Sequence, residues 1–403
     1  MTASGRLRVL YMIDRAGAFG GAERFVVGLA AHMPRDRIEP WVCSTRDGNE
    51  AAVRQLAEAG VPHVNLGRTS KWQVHRIASL TGTVRRNRFD VLHAHKFGSN
   101  VWGTMIGRSC RVPVVIAHEH IWAYSGDPMR VWIDRHIIGR LATRFITVSR
   151  PSSEQMVNIE RVPRAKVLVM PTAYVPHTQG SETDIRAELG LDRSLTLIGS
   201  VGGLRLQKRF DLLLDAHAQL LRRVAHGAPA QGRARDPHLV IAGDGPCRAE
   251  LERRIGALGL DKRVHLLGHR RDIDAILRQI DVAVMSSEYE GMPLFVFECM
   301  AAAVPLVATA VGGVPDVVKD GETGLLVAPH DAAGLASAIE RVLADPQLGA
   351  NLARAAAARL DQFTIDSVAR RFADLYEQLT AEAHTQSPTV QPAVASDWDA
   401  LGA

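Results

Sequence analysis

The sequence predicts an α/β protein built from two Rossmann-like domains, each a parallel sheet with helices on both faces. Three observations predict it. The chain has 403 residues, which at roughly 100–200 residues per domain means two domains. Short apolar runs of strand character alternate with helix-period stretches along the whole chain. The alternation pauses once, near 171–195, where PTAYVPHTQGSETD is rich in Pro, Gly, Thr and Ser, and then restarts. The expected boundaries are 1–175 for the N-terminal domain, 176–383 for the C-terminal domain, and 384–403 for a disordered tail.

The elements follow in order. RVLYMI (8–13) is a continuous apolar run, which a strand buried on both faces requires, and 22–32 has helical periodicity. PWVCS (40–44), VPHVN (61–65), DVLHA (90–94), PVVIA (113–117) and RFITVS (144–149) are further strands, with helix-like stretches between them. After the pause, TLIGSVG (196–202) is a strand and 209–222 a helix. HLVIAG, RVHLLG, VAVMS, PLVAT and GLLVA continue the sheet, with short helices near 248–255 and 272–277. HGAPAQGRARDP (226–237) reads as a surface loop, and three helices near 334–344, 348–360 and 364–380 close the chain.

Composition narrows the class. Hydrophobic residues make up 46% and charged residues 23%, which excludes a disordered or collagen-like chain. No apolar run reaches the roughly 18 residues of a membrane span, and the N-terminus lacks a signal-peptide pattern. Cys43, Cys110, Cys247 and Cys299 are widely spaced, so a disulfide framework or structural zinc site is not expected and a reducing cytoplasm fits. The net charge of +5 divides into +12 over 1–175 and −7 over 176–403, which points to different partners for the two halves.

The strongest motif is SSEYEGMPLFVFECMAAAVPLVATAVGGVPDVV (286–318). Gly291-Met292-Pro293 forms a turn after a strand, and a helix starts at Leu294. Glu290 lies in the turn and Glu298 one to two helical turns further on. The amides at such a helix start suit an anion such as a diphosphate. A carboxylate there suits hydroxyl recognition, because an ionised carboxylate only accepts hydrogen bonds. Gly20-Gly21 opens the first helix and lets backbone approach a diphosphate. The dinucleotide fingerprint G-x-G-x-x-G is absent after the first strand, which argues against a nicotinamide dehydrogenase.

This segment resembles the family 4 glycosyltransferases, retaining enzymes of the GT-B architecture. The resemblance extends over about 7–380: Gly20-Gly21-Ala22-Glu23-Arg24, Val201-Gly202 through Lys208, Ala242-Gly243-Asp244-Gly245-Pro246, Gly312-Gly313-Val314-Pro315 and Gly321-Glu322-Thr323-Gly324 each match a family motif. It implies two Rossmann-like domains facing across a cleft, with C-terminal helices returning toward the N-terminal domain. It implies transfer of a hexose from a UDP- or GDP-linked sugar to a hydroxyl of a glycan or lipid-linked acceptor. Glu290 then contacts the donor-sugar hydroxyls, Glu298 the ribose, and Lys208 the diphosphate. Gly20, Gly21, Gly291, Met292 and Pro293 belong to the same donor site. The family histidine near the reacting sugar is matched best by His120, with His118 as the alternative. The family's arginine after "VG" is replaced here by Gly203. Arg205 stands in for it, since alternation puts 203 and 205 on one side. Pro171-Thr172-Ala173-Tyr174 replaces the family's "PNGV". The Gly203 exchange is also the best support for a competing reading, a non-catalytic nucleotide-sugar or glycan-binding subunit.

Other features have simpler accounts. His93-Ala94-His95 and His118-Glu119-His120 put paired imidazoles on one side of their strands, but no carboxylate or cysteine partner stands out. Asp272-Ile273-Asp274 reads as a helix N-cap, and Asp397-Trp398-Asp399 lies in the tail, so no metal or other cofactor is expected. The catalytic base is expected near Gly268-His269-Arg270-Arg271. In 71–89, apolar Trp72, Ile77, Leu80 and Val84 recur at helical spacing among Lys71, Arg76, Arg85, Arg86 and Arg88. Two readings apply, an ordinary surface helix or a face toward an anionic membrane holding a lipid-linked acceptor. The expected partners are a nucleotide diphosphate sugar and that acceptor, with no nucleic acid. The expected location is the cytoplasm, with peripheral attachment to the inner membrane face as the second option.

Overall fold

The computed structural model describes residues 5–16, 20–70, 73–121, 127–176, 183–226 and 236–385. Lys71, Trp72, Asp397, Asp399, the loop stretch 227–235, linker residues 177–182 and tail residues 386–403 lie outside them. The chain forms two units, one of 1–175 with 362–403 and one of 176–361.

The first unit holds seven parallel strands: β1 (Leu7–Ile13), β2 (Ile38–Ser44), β3 (His63–Asn65), β4 (Val91–His95), β5 (Val114–Glu119), β6 (Arg144–Thr147) and β7 (Val167–Val169). Their order is β3-β2-β1-β4-β5-β6-β7. β7 has no counterpart in the sequence reading; it is three residues long and only half-buried, so it carries no strong apolar signal.

Residues of β1 alternate between two cores. Leu7, Val9, Tyr11 and Ile13 pack with the helices Gly21–Ala31 and Ile365–Thr385. Leu10 and Met12 pack on the other face with Ile77, Leu80 and Val84 of the helix Val74–Asn87. Both faces are covered, as the apolar runs required.

The second unit has six parallel strands: β8 (Leu197–Val201), β9 (His238–Ala242), β10 (Val264–Gly268), β11 (Val282–Met285), β12 (Leu306–Thr309) and β13 (Leu325–Val327). Their order is β10-β9-β8-β11-β12-β13. Strand order reverses between β1 and β4 in one unit and between β8 and β11 in the other. Ligands of open α/β sheets bind beyond the strand ends at such switch points.

The C-terminal boundary differs from expectation. Residues 362–383 were assigned to the second domain, but the helix Ile365–Thr385 belongs to the first unit. Val368, Phe372 and Tyr376 bury against the core of the first sheet. Ion pairs join it there: Arg37 with Asp374 at 2.7 Å and Glu377 at 2.6 Å, and Arg144 with Glu382 at 3.2 Å. Part of the charge split along the sequence is therefore neutralised inside one unit. His384 and Thr385, assigned to the tail, end this helix.

The helix Val74–Asn87 buries Ile77, Leu80 and Val84 and exposes Arg85 and Arg86. Its apolar stripe faces the core, so apart from the exposed Val74 this helix offers a partner mainly basic and polar side chains. No helix among the described residues is long and apolar enough to cross a membrane.

Candidate active site

The second unit gathers its motif residues at the switch point between β8 and β11. After β8 the chain runs through Gly202 and Gly203 into a short 3-10 turn, Leu206–Lys208. After β11 it passes Ser286 and Ser287 to Glu290. Lys208 Nζ lies 2.6 Å from Glu290 Oε1. Ser287 Oγ donates to the same oxygen at 2.6 Å, and Gln207 Nε2 donates to Oε2 at 3.3 Å. Glu290 is 9% exposed. A buried carboxylate needs such partners.

The scaffold around the pair is tied down by backbone. Ser286 Oγ donates to the Lys208 carbonyl at 2.9 Å, the Glu288 amide to the Gln207 carbonyl at 2.8 Å, and Thr309 Oγ1 to the Ser287 carbonyl at 2.6 Å. Gly312 has a φ of +52°, and a Cβ there would stand 1.8 Å from the Glu290 carbonyl oxygen. Only glycine fits that approach. Gly291 accepts from the Gly313 amide at 2.8 Å. Gly291, Met292 and Pro293 form a buried bend leading into the helix Leu294–Ala302, whose first turn has no side-chain cap. Glu298 sits in that helix, 4% exposed.

Arg205 is exposed, and its Nε lies 3.6 Å from where a Cβ on Gly203 would stand. Lys208 Cε lies 3.3 Å from the same construction on Gly202. Two cationic side chains thus flank the glycine pair. Arg270, near the expected base, is held in ion pairs with Glu188 and Asp272, each at 2.7 Å. Asp272 precedes the helix Ile273–Leu277 but binds Arg270 instead of capping it. The guanidinium hydrogen bonds hold its carboxyl down at about 2.

In the first unit, Gly20 precedes the helix Gly21–Ala31 and accepts from the Arg24 amide at 2.9 Å. The Glu23 carboxylate folds over Gly20, where a Cβ would meet it at 1.9 Å, and pairs with Lys96 at 2.8 Å. The helix start is therefore shared with an internal carboxylate. Parallel register sets His95 opposite His118, so His93, His95, His118 and His120 all point to one face of β4 and β5. They pack beside Tyr11, Phe25, Phe372 and Tyr376. His93, His95 and His118 are fully buried and His120 half-buried.

Burial, reinforced by the neighbouring imidazoles, pushes His93, His95 and His118 well below the usual histidine range. Burial and then Lys96 bring His120 down to about 3. Nitrogens of His93, His95 and His118 lie within 4.8 Å of one another. Both nitrogens of His93 are already engaged, by Tyr376 at 2.7 Å and His118 at 3.2 Å, and among the described residues no carboxylate or thiolate joins the set. Next to them Glu119 pairs with Arg130 at 2.9 Å, and Asp134 lies 3.6 Å from the same guanidinium. Burial outweighs the arginine and raises Glu119 to about 7 and Asp134 to about 8.

The structure thus joins Lys208 with Glu290 and groups Gly291, Met292 and Pro293 beside them. It places Arg205 along Gly203, and His120 in a buried histidine array at the end of β5. Sequence reasoning missed Ser287 and Gln207, which hold the Glu290 carboxylate. Their signal was position: Ser287 lies three residues before Glu290, and Gln207 directly before Lys208.

Two parallel α/β units, each with polar side chains gathered at its strand ends, have the architecture of the GT-B glycosyltransferases. Residues 19–176 match the Glycosyltransferase Family 4 description and residues 181–359 match Glycosyl transferases group 1. The alpha-D-kanosaminyltransferase of Streptomyces kanamyceticus is 30% identical over 309 residues, 72% of this chain and 77% of that one. The D-inositol 3-phosphate glycosyltransferase of a Mycobacterium strain (JLS) is 28% identical over 357 residues, 81% of this chain and 78% of that one. The crystal structure of HepE from Anabaena in complex with UDP-glucose superposes with a TM-score of 0.78 at 23% identity, covering 93% of this chain and all of that one. The chain belongs to the family 4 glycosyltransferases.

Proposed function

We infer that the protein transfers a hexose from a nucleotide diphosphate sugar to a hydroxyl of a glycan or lipid-linked acceptor, keeping the anomeric configuration. The observation that carries this reading is the Lys208–Glu290 pair at the β8/β11 switch point, steadied by Ser287 and Gln207. An ammonium group has three N–H donors, so Lys208 can keep Glu290 and still meet a phosphate oxygen. Arg205 adds the second cation that the Gly203 exchange removes. Charge built up on the departing diphosphate is then met by fixed donors, the largest electrostatic task in such a step. Glu290 accepts from donor-sugar hydroxyls, Glu298 from the ribose, and the amides at the start of the helix Leu294–Ala302 face the diphosphate. The HepE structure contains UDP-glucose, which makes a UDP-hexose the first donor to try.

A thermal-shift screen of UDP- and GDP-sugars tests donor binding; a ligand at 100 times its Kd stabilises by about 2.7 kcal/mol. Proton NMR of the first product then reads its anomeric configuration, and an inverted product would overturn the retaining mechanism. The reaction is expected to run in EDTA, because Lys208, Arg205 and the helix-start amides supply the positive charge. Loss of transfer in EDTA, restored by magnesium or manganese, would refute that. Basic side chains of Val74–Asn87 bring the first unit to an anionic surface where a lipid-linked acceptor waits, at about 1 kcal/mol per residue. Equal, negligible co-sedimentation with anionic and neutral liposomes would remove this last part.

A further inference from the structure

The four histidines of the first unit are two hydrogen-bonded imidazole pairs, one laid on the other. His93 Nε2 lies 3.2 Å from His118 Nδ1, and His95 Nδ1 lies 3.0 Å from His120 Nε2. Ring centroids are 4.1 Å apart between His93 and His95 and 4.3 Å between His118 and His120. The pairs end differently. Beyond His93, Nδ1 meets the Tyr376 hydroxyl at 2.7 Å. Beyond His95, Nε2 is buried and has no hydrogen-bond partner among the described residues.

A neutral imidazole carries one N–H, and its position follows from what the other nitrogen meets. Were the His95 proton on Nε2, it would be a buried donor with no acceptor, the kind of orphan that folded proteins avoid most. On Nδ1 the same proton lies in the hydrogen bond to His120. His120 Nε2 must then accept, which leaves the His120 proton on Nδ1. Among the described residues that Nδ1 makes no hydrogen bond, and His120 is the only one of the four rings that is not fully buried. The charged groups near it are Lys96, itself paired with Glu23, and Glu119, whose carboxylate accepts the His120 backbone amide.

We propose that His95 is the positioning residue for His120: it fixes the ring and its tautomer, so that His120 offers the donor sugar a neutral Nδ1–H hydrogen-bond donor and does not act as a base. The sugar oxygen it meets is an acceptor, a hydroxyl or ether oxygen. The functional half of this inference rests on the reading of His120 as a donor-sugar contact.

The test uses the full chain labelled with 15N-histidine. Long-range proton–nitrogen correlation spectra should show His120, assigned by its loss in His120→Asn, as the Nδ1–H tautomer at every pH from 5.5 to 8.5. An Nε2–H tautomer, or titration of His120 in that range, overturns the proposal in the wild-type protein alone. In kinetics, His95→Phe should lower kcat by about 2- to 12-fold, the worth of one hydrogen bond, with the KM for donor little changed. His95→Asn, whose amide N–H stands in for Nδ1–H, should recover most of it. Unchanged kcat and an unchanged His120 signal in a folded His95→Phe protein would overturn the role of His95. Full turnover in His120→Asn would overturn the sugar contact itself, while the spectra decide the tautomer separately.

Discussion

The two switch points solve the same problem with opposite chemistry. At β8/β11 the polar groups are ions: Lys208 and Glu290 stand 2.6 Å apart with two neutral donors holding the carboxylate. In the first unit, at the ends of β4 and β5 beside the β1/β4 switch point, they are four imidazoles that burial keeps neutral. An ionic site needs counter-charges and meets a charged ligand group. A neutral array needs only hydrogen bonds, tolerates a deep apolar setting, and meets hydroxyls. One topology thus presents an ionic end in one unit and a neutral, hydrogen-bonded end in the other.

The largest expected effect is on stability against acid. Each buried histidine has a folded pKa below its unfolded value, so its contribution is complete above about pH 6.5 and is lost as pH falls. Glu119 and Asp134 act in the opposite sense. Their folded values of about 7 and about 8 lie above the unfolded ones, so the folded unit takes up two protons early and is stabilised toward acid. The four histidines outnumber the two carboxyls, so the first unit loses stability on balance as pH falls toward 5. In the second unit burial holds His217 at about 3, while His238 and His265 are lowered less, so its loss over the same range is expected to be smaller. Hydrogen exchange between pH 7.5 and 4.5 should show β4 and β5 losing protection before β8 and β9. Simultaneous loss would break the comparison.

The next effect is catalytic. Glu290→Gln removes the ionic partner of Lys208 and the charge-assisted contacts to the sugar, worth about 1.5–3 kcal/mol each. Turnover should fall roughly 10- to 150-fold while the melting temperature stays close to that of the parent. Near-normal turnover in the folded variant would remove Glu290 from the site. Arg205→Ala should weaken a nucleotide diphosphate sugar more than the free nucleoside, at a cost reduced by its exposure, about 1 kcal/mol or fivefold in Kd; equal affinities would leave Lys208 as the sole cation there. The smallest effect belongs to Ser287→Ala, which frees one hydrogen bond to Glu290 while Lys208 and Gln207 still hold it. A fall of about 2- to 12-fold in kcat is expected, and a fall as large as that of Glu290→Gln would mean that Ser287 meets substrate directly.

The same contrast marks what the sequence could show. Glu290 and the bend at Gly291 sit in a dense local motif whose spacing puts them at a strand end and a helix start, whereas Lys208 and Gly312 are reached only through the resemblance to the family. The histidine pairs were visible as two H-x-H strings. Their union needs the register of β4 against β5, a non-local fact. Tyr376, 283 residues from His93, is further beyond the reach of spacing. The helix near 364–380 was legible as a helix, but its amphipathic face does not say which sheet it covers. Asp272 followed the capping pattern, yet a nearby arginine won its carboxylate.

The helix Ile365–Thr385 also sets an order of events during synthesis. The second unit is one uninterrupted stretch of chain, Pro176 to Asp361, placed inside a first unit that is made in two instalments. A ribosome that has finished 1–175 has delivered the seven strands but not the cover for Tyr11, Phe25 and His93. At about 5–20 residues per second, that aromatic face waits on the order of 10–40 seconds for residues 362–385, during which the inserted unit is complete and free to fold. A nascent chain stalled before 362 would therefore present the interior of its own first sheet to whatever binds exposed apolar surface.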